Sequence, residues 1–86
     1  MITEYKLKTP IILGEETVEV LKLEEPDQNR LEAYDVGFGP EDLTKTAGLK
    51  KVLCACAVNV NEAHVSKMKG GDFKKAAEKC VIDFFA

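Results

Sequence analysis

The sequence predicts a small α+β domain: an N-terminal β-hairpin packed against three to four short α-helices, the last of them C-terminal. Three observations predict it. Residues 5–24 are the one stretch in which side chains alternate in character with a period of two. Apolar residues recur at helical spacing from Leu49 and again from Phe73. Clusters of Gly, Pro, Asn and Asp separate these segments. The 86 residues make one domain, residues 1–86, with the hairpin at about 5–24 and the helical part at about 27–86.

In the first strand Tyr5, Leu7, Thr9, Ile11 and Leu13 share one face, and Lys6 and Lys8 point the other way. Gly14-Glu15-Glu16 is a polar break containing a residue that accepts positive φ, so the chain returns as a hairpin. Pro10 has no N–H to give to a ladder, which places this strand at an edge or puts a bulge at that point. In the return strand the phase slips. Val18 and Val20 fall on one face and Leu21 and Leu23 on the other, a conflict that a β-bulge near Val20 and Leu21 would resolve. Two strands alone are marginal in water, so the apolar face calls for a helical cover.

Pro26 ends the second strand, and Asp27 is placed to cap a helix running to about Asp35, with Leu31 and Tyr34 on its buried side. Gly37-Phe38-Gly39-Pro40 is a linker with Phe38 tucked beneath it. Pro40, Glu41 and Asp42 then start a helix that runs to about Val58 or breaks at Gly48-Leu49. Leu49, Val52, Leu53 and Cys56 form its apolar stripe. Asn61 caps a short helix through Met68 that buries Val65 and Met68. Asp72 caps the last helix, whose stripe of Phe73, Ala76, Ala77, Cys80, Val81 and Phe84 is the main cover for the hairpin.

The net charge of −3 conceals an asymmetry: residues 1–43 carry −7 and residues 44–86 carry +4. A chain this short buries only roughly 60 to 65 per cent of its unfolded surface. Small size and opposed charged halves together predict a homo-oligomer that weakens as salt rises. A stretch of about 18 apolar residues is missing, as is a basic start followed by an apolar run, so no membrane partner is expected and the default address is the cytoplasm.

The chemistry-bearing residues are few. Cys54, Cys56, Cys80 and His64 offer donor atoms without the usual zinc spacing, and Cys54 and Cys56 would diverge by about 200° on a helix. The three thiols read as reduced, buried small residues, and neither a metal, a cofactor nor catalytic residues are expected. Lys67, Lys69, Lys74, Lys75 and Lys79 surround Gly70-Gly71 in a pattern that imitates a helix-turn-helix. The second helix lacks arginine and the domain is acidic overall, so nucleic acid is not the expected partner. A small nucleic-acid-binding or regulatory module using the lysine-rich C-terminal half is the alternative function.

The order and spacing of these segments resemble the small tail assembly chaperones of Mu-like and related contractile-tailed phages. Leu7-Lys8-Thr9-Pro10-Ile11, a turn at Gly14 and a β-run closing on Leu23-Glu24-Glu25-Pro26 are similar to that family's opening, with Glu24 where the family has arginine. Residues 52–60, the segment from Asn61 to Met68, and Gly71-Asp72-Phe73 leading into a last helix that ends in Phe84-Phe85 are similar to its second half. The resemblance implies a non-catalytic protein of the bacterial host cytoplasm, absent from the mature virion, that binds the tape measure protein and keeps it soluble while the tail tube assembles. It also implies that a longer frameshifted form often shares the domain.

At about 100° per residue, Ile82 and Phe85 lie about 180° and 120° from Phe73, outside the core stripe of the last helix. With Met68 they are the expected partner-binding residues, for a tape measure helix or for a second copy. The competing reading has Ile82 meeting the linker and Phe85 fraying with the C-terminus.

Overall fold

The computed structural model describes residues 2–37 and 39–85. Strands β1 (Ile2–Leu13) and β2 (Glu16–Glu24) form a two-stranded antiparallel sheet joined at Gly14, whose φ is +61°. Five α-helices follow: α1 (Gln28–Ala33), α2 (Pro40–Thr44), α3 (Thr46–Cys56), α4 (Glu62–Ser66) and α5 (Gly70–Cys80). A π-helical turn, Val81–Phe85, ends the described chain. The α+β class and the hairpin under a helical cover are as expected, with more and shorter helices. Phe38, expected beneath the linker, lies outside the described residues.

The hairpin carries its bulge beside Val20, close to the expected position, but the extra residues are in the first strand and not in the second. Lys6 pairs with Val20 and Ile11 pairs with Val18, so residues 7–10 stand opposite Glu19 alone. Pro10 lies in this bulge, where its missing N–H costs no ladder bond. The slip read in β2 is real. Val18 faces the core with Ile11 and Leu21 faces it with Tyr5, so the return strand changes phase across Glu19.

Asp72 explains how the bulge is held. It does not cap the last helix as expected, because α5 starts at Gly70 and Lys69 occupies the cap position without a side-chain bond. The Asp72 carboxylate instead reaches β1, accepting the N–H groups of Lys8 and Thr9 at 2.9 Å each and the Tyr5 hydroxyl at 3.2 Å. Those two amides have left the ladder, and a buried amide without a partner is costly. Burial alone would raise the Asp72 pKa, but these hydrogen bonds and the nearby Lys75 charge outweigh it and hold the carboxyl below its ordinary value.

The other edge of the hairpin is closed differently. Ala57 bridges Leu23, the Val58 N–H donates to the Lys22 carbonyl at 2.9 Å, and the Asn59 amide accepts from the Lys22 N–H and donates to the Val20 carbonyl. Residues 57–59 thus serve as a stub of third strand along β2, protecting an otherwise open edge.

Asp27 caps α1 as expected, accepting the Arg30 N–H at 2.9 Å. The helix closes in a Schellman turn, with Asp35 at φ +53° and the Val36 N–H bonded to the Leu31 carbonyl. Its Arg30 guanidinium then caps α3 from outside, donating to the Ala55 carbonyl at 2.7 Å and to the Cys54 and Ala57 carbonyls at 3.1 Å. The helix expected from Pro40 breaks at Lys45, whose ψ of 148° is extended, and not at Gly48. Gly48 allows α2 to fold back on α3, since a Cβ there would collide with the Asp42 carbonyl.

The core is the inner face of the hairpin (Leu7, Ile11, Leu21, Leu23) packed on Val52, Leu53 and Cys56 of α3, Val65 of α4, and Ala76 and Cys80 of α5. Small residues line the inner face of α5, so it lies close against α3 and β1. Val52 through Cys56 are all buried, because α1 and Arg30 cover the side of α3 that the hairpin does not.

Candidate binding groove

The outer face of α5 and the π turn borders a depression of about 610 Å³, walled on the other side by α2 and the start of α3. Leu43, Leu49, Phe73, Val81 and Ile82 supply its apolar lining, and Thr44, Thr46, Lys74 and Glu78 its polar rim. The break at Lys45 is what makes the groove. A continuous helix would carry Leu43 past α5, whereas the fold-back at Gly48 sets Leu43 and Leu49 together opposite Phe73 and Val81.

The three expected partner-binding residues do not fall in one patch. Ile82 is 67% exposed and sits on the rim of the groove. Met68, half-buried, lines a neighbouring depression of about 310 Å³ that shares Thr46, Gly70 and Phe73 with the first, so the Phe73 ring stands between Met68 and Ile82. Phe85 is half-buried against the core. The π turn accounts for its position: hydrogen bonds running i→i+5 advance roughly 85–90° per residue instead of 100°, which swings Phe85 back towards the stripe of α5 and leaves Ile82 outside it. Leu43 was not singled out by its sequence context, and Leu49, Phe73 and Val81 read there as core residues. All four are half-buried; Leu43, Phe73 and Val81 have one side on the core and the other on the groove, and Leu49 lines the groove.

The cysteines and the histidine are used for structure. Cys54, Cys56 and Cys80 are free and buried. Contact with Cys56, then burial, pushes the Cys80 thiol far above its ordinary value; burial, then the Glu62 charge, raises Cys54. A thiol held neutral in this way is a poor nucleophile. His64 is buried, where a surface or helix-end position is the commoner one for a lone histidine. It completes a capping box: Asn61 Oδ1 accepts the Ala63 and His64 N–H groups while His64 Nδ1 accepts the Asn61 N–H at 3.2 Å. The other ring nitrogen, Nε2, lies 3.3 Å from Glu16 at the hairpin end. Among the described residues no cluster of three His, Cys, Asp or Glu side chains is arranged for a metal ion.

Lys67, Lys69, Lys74 and Lys75 are exposed, whereas Lys79 is half-buried and pairs with Asp83 at 3.5 Å. The helix before Gly70-Gly71 is only five residues long and buries His64 and Val65 in the domain. No described helix is long and apolar enough to cross a membrane. Comparisons with protein-family models, curated proteins and solved structures found no match.

Proposed function

We propose that this protein is a non-catalytic phage tail assembly chaperone that holds an amphipathic helix of the tape measure protein in the groove between α5 and α2–α3, in the cytoplasm of a bacterial host. The apolar groove bounded by exposed Ile82 supports this reading. A tape measure protein is a long helical chain whose apolar faces aggregate unless covered, and a groove of this kind takes such a face at i, i+3/i+4 and i+7 anchors. The volume of about 610 Å³ holds two or three large side chains, a contact that protects without binding irreversibly. The order and spacing of the sequence motifs add independent support.

Co-expression with the tape measure protein tests the proposal. The wild-type chain should keep it soluble and co-purify with it, and Ile82→Asp should abolish both while remaining folded. Retention should not fall as salt rises, because the contact is apolar. Tape measure protein that aggregates equally with and without this chain would refute the reading. Tight binding to duplex DNA that collapses with salt would instead favour the lysine-rich half as a nucleic-acid module.

A further inference from the structure

The groove has one property that a site for an arbitrary helix does not need. The α5 side that borders it presents Gly70, Lys74, Glu78 and Ile82, each four residues from the next, which is a single ridge of the kind that interlocks when two helices cross. Reversed end for end, this ridge is complementary to itself. Ala76 is the midpoint of both Gly70 and Ile82 and of Lys74 and Glu78. Two copies related by a two-fold axis that passes through the outer face of α5 at the height of Ala76 would place Lys74 against the partner's Glu78 and Glu78 against the partner's Lys74. The same operation brings each Ile82 to the other copy's Gly70.

We infer that α5 packs antiparallel against α5 of a second copy, with Ile82 of each chain seated at Gly70 in the groove of the other. Steric room is present: a Cβ on Gly70 would meet nothing within 4 Å, so the Gly70 end of the groove is open. Ile82, 67% exposed, is the side chain free to fill it. Among the described residues neither Lys74 nor Glu78 is held in an ion pair. The charges also fix the direction, because a parallel pairing would set Lys74 beside the partner's Lys74 and Glu78 beside its Glu78. A two-fold interface closes on itself and stops at a dimer. Ile82 serves both this contact and client capture, so the dimer covers the groove until a client displaces it. The inference rests on the ridge alone and holds whichever helix is the client.

Sedimentation equilibrium on the full chain tests it. The wild type should show a monomer–dimer equilibrium that weakens with salt. Lys74→Glu, Glu78→Lys and Ile82→Ser should each weaken dimerisation at least about tenfold with helix content and melting unchanged. The double variant K74E/E78K should regain wild-type association, since the swap preserves every cross-copy pair. An equimolar mixture of the two single charge variants, each monomeric alone, should form a heterodimer for the same reason. A wild type that stays monomeric at millimolar concentration and low salt would overturn the inference. A dimer that survives Lys74→Glu, or a charge swap that fails to restore it, would also overturn it.

Discussion

Asp72 Oδ2 on α5 accepts the backbone N–H of Thr9 in β1 at 2.9 Å, joining residues 63 apart in sequence. With the bonds from Lys8 and Tyr5 to Oδ1, it makes one buried carboxylate the anchor of the bulge. Asp72→Asn replaces one acceptor by an NH₂ group facing an N–H, and should destabilise the fold by about 2–3 kcal/mol at neutral pH. The Asp72 pKa is lowered on folding, so its contribution is fully present above the ordinary carboxylate range. It is lost as pH falls through that range to the lower folded value. Urea midpoints at pH 7 and pH 3 check both points: the gap between wild type and variant should be smaller at pH 3 than at pH 7.

Arg30 bonds three carbonyls at the end of α3 with one planar fork. Arg30→Ala should cost about 2–3 kcal/mol, the loss of charge-assisted bonds to three carbonyls at one helix end. Arg30→Lys should recover only part of it, because an ammonium cannot span three acceptors in a plane. Chemical denaturation of the pair measures the difference. Full recovery by lysine would show that charge alone matters.

Gly48 sets helix propensity against packing. Propensity alone predicts that Gly48→Ala stabilises α3 by about 1 kcal/mol. The collision of the new Cβ with the Asp42 carbonyl predicts the opposite, and overpacking against backbone should win by about 1–3 kcal/mol. A melting temperature below that of wild type is the expected result. A higher one would mean that α2 does not lie against α3 as described.

Ile82 and Phe84, two residues apart, should separate cleanly. Ile82→Ser should change stability by less than about 0.5 kcal/mol, because the side chain is 67% exposed. Phe84→Ala should lose about 2 kcal/mol, short of the about 3–5 kcal/mol of a fully buried phenylalanine, because its ring is half-buried against the core. Thermal and urea unfolding of the two variants compare them directly. A larger loss at Ile82 than at Phe84 would reverse the face assignment of the π turn.

The sequence by itself determined the hairpin, the α+β class, the caps at Asp27 and Asn61, the inner stripe of α5 and the outward position of Ile82. Each follows from a pattern that repeats within a few residues, where the strand period, the helix period or a capping side chain acts on its immediate neighbours. Even the phase slip in β2 was legible, as two adjacent apolar residues where alternation allows one. Only the tertiary structure decided which strand holds the extra residues, because Glu19 accommodates the bulge while Asp72, far along the chain, binds the amides that it frees. Only the tertiary structure likewise turned Asp72 from a helix cap into a clasp, sent Arg30 to the end of α3, and moved the helix break from Gly48 to Lys45. The groove belongs with these. Leu43, Leu49, Phe73 and Val81 carry the same apolar signature as core residues, and what leaves one side of each open is the angle at which α2 folds back on α3, which no local pattern encodes.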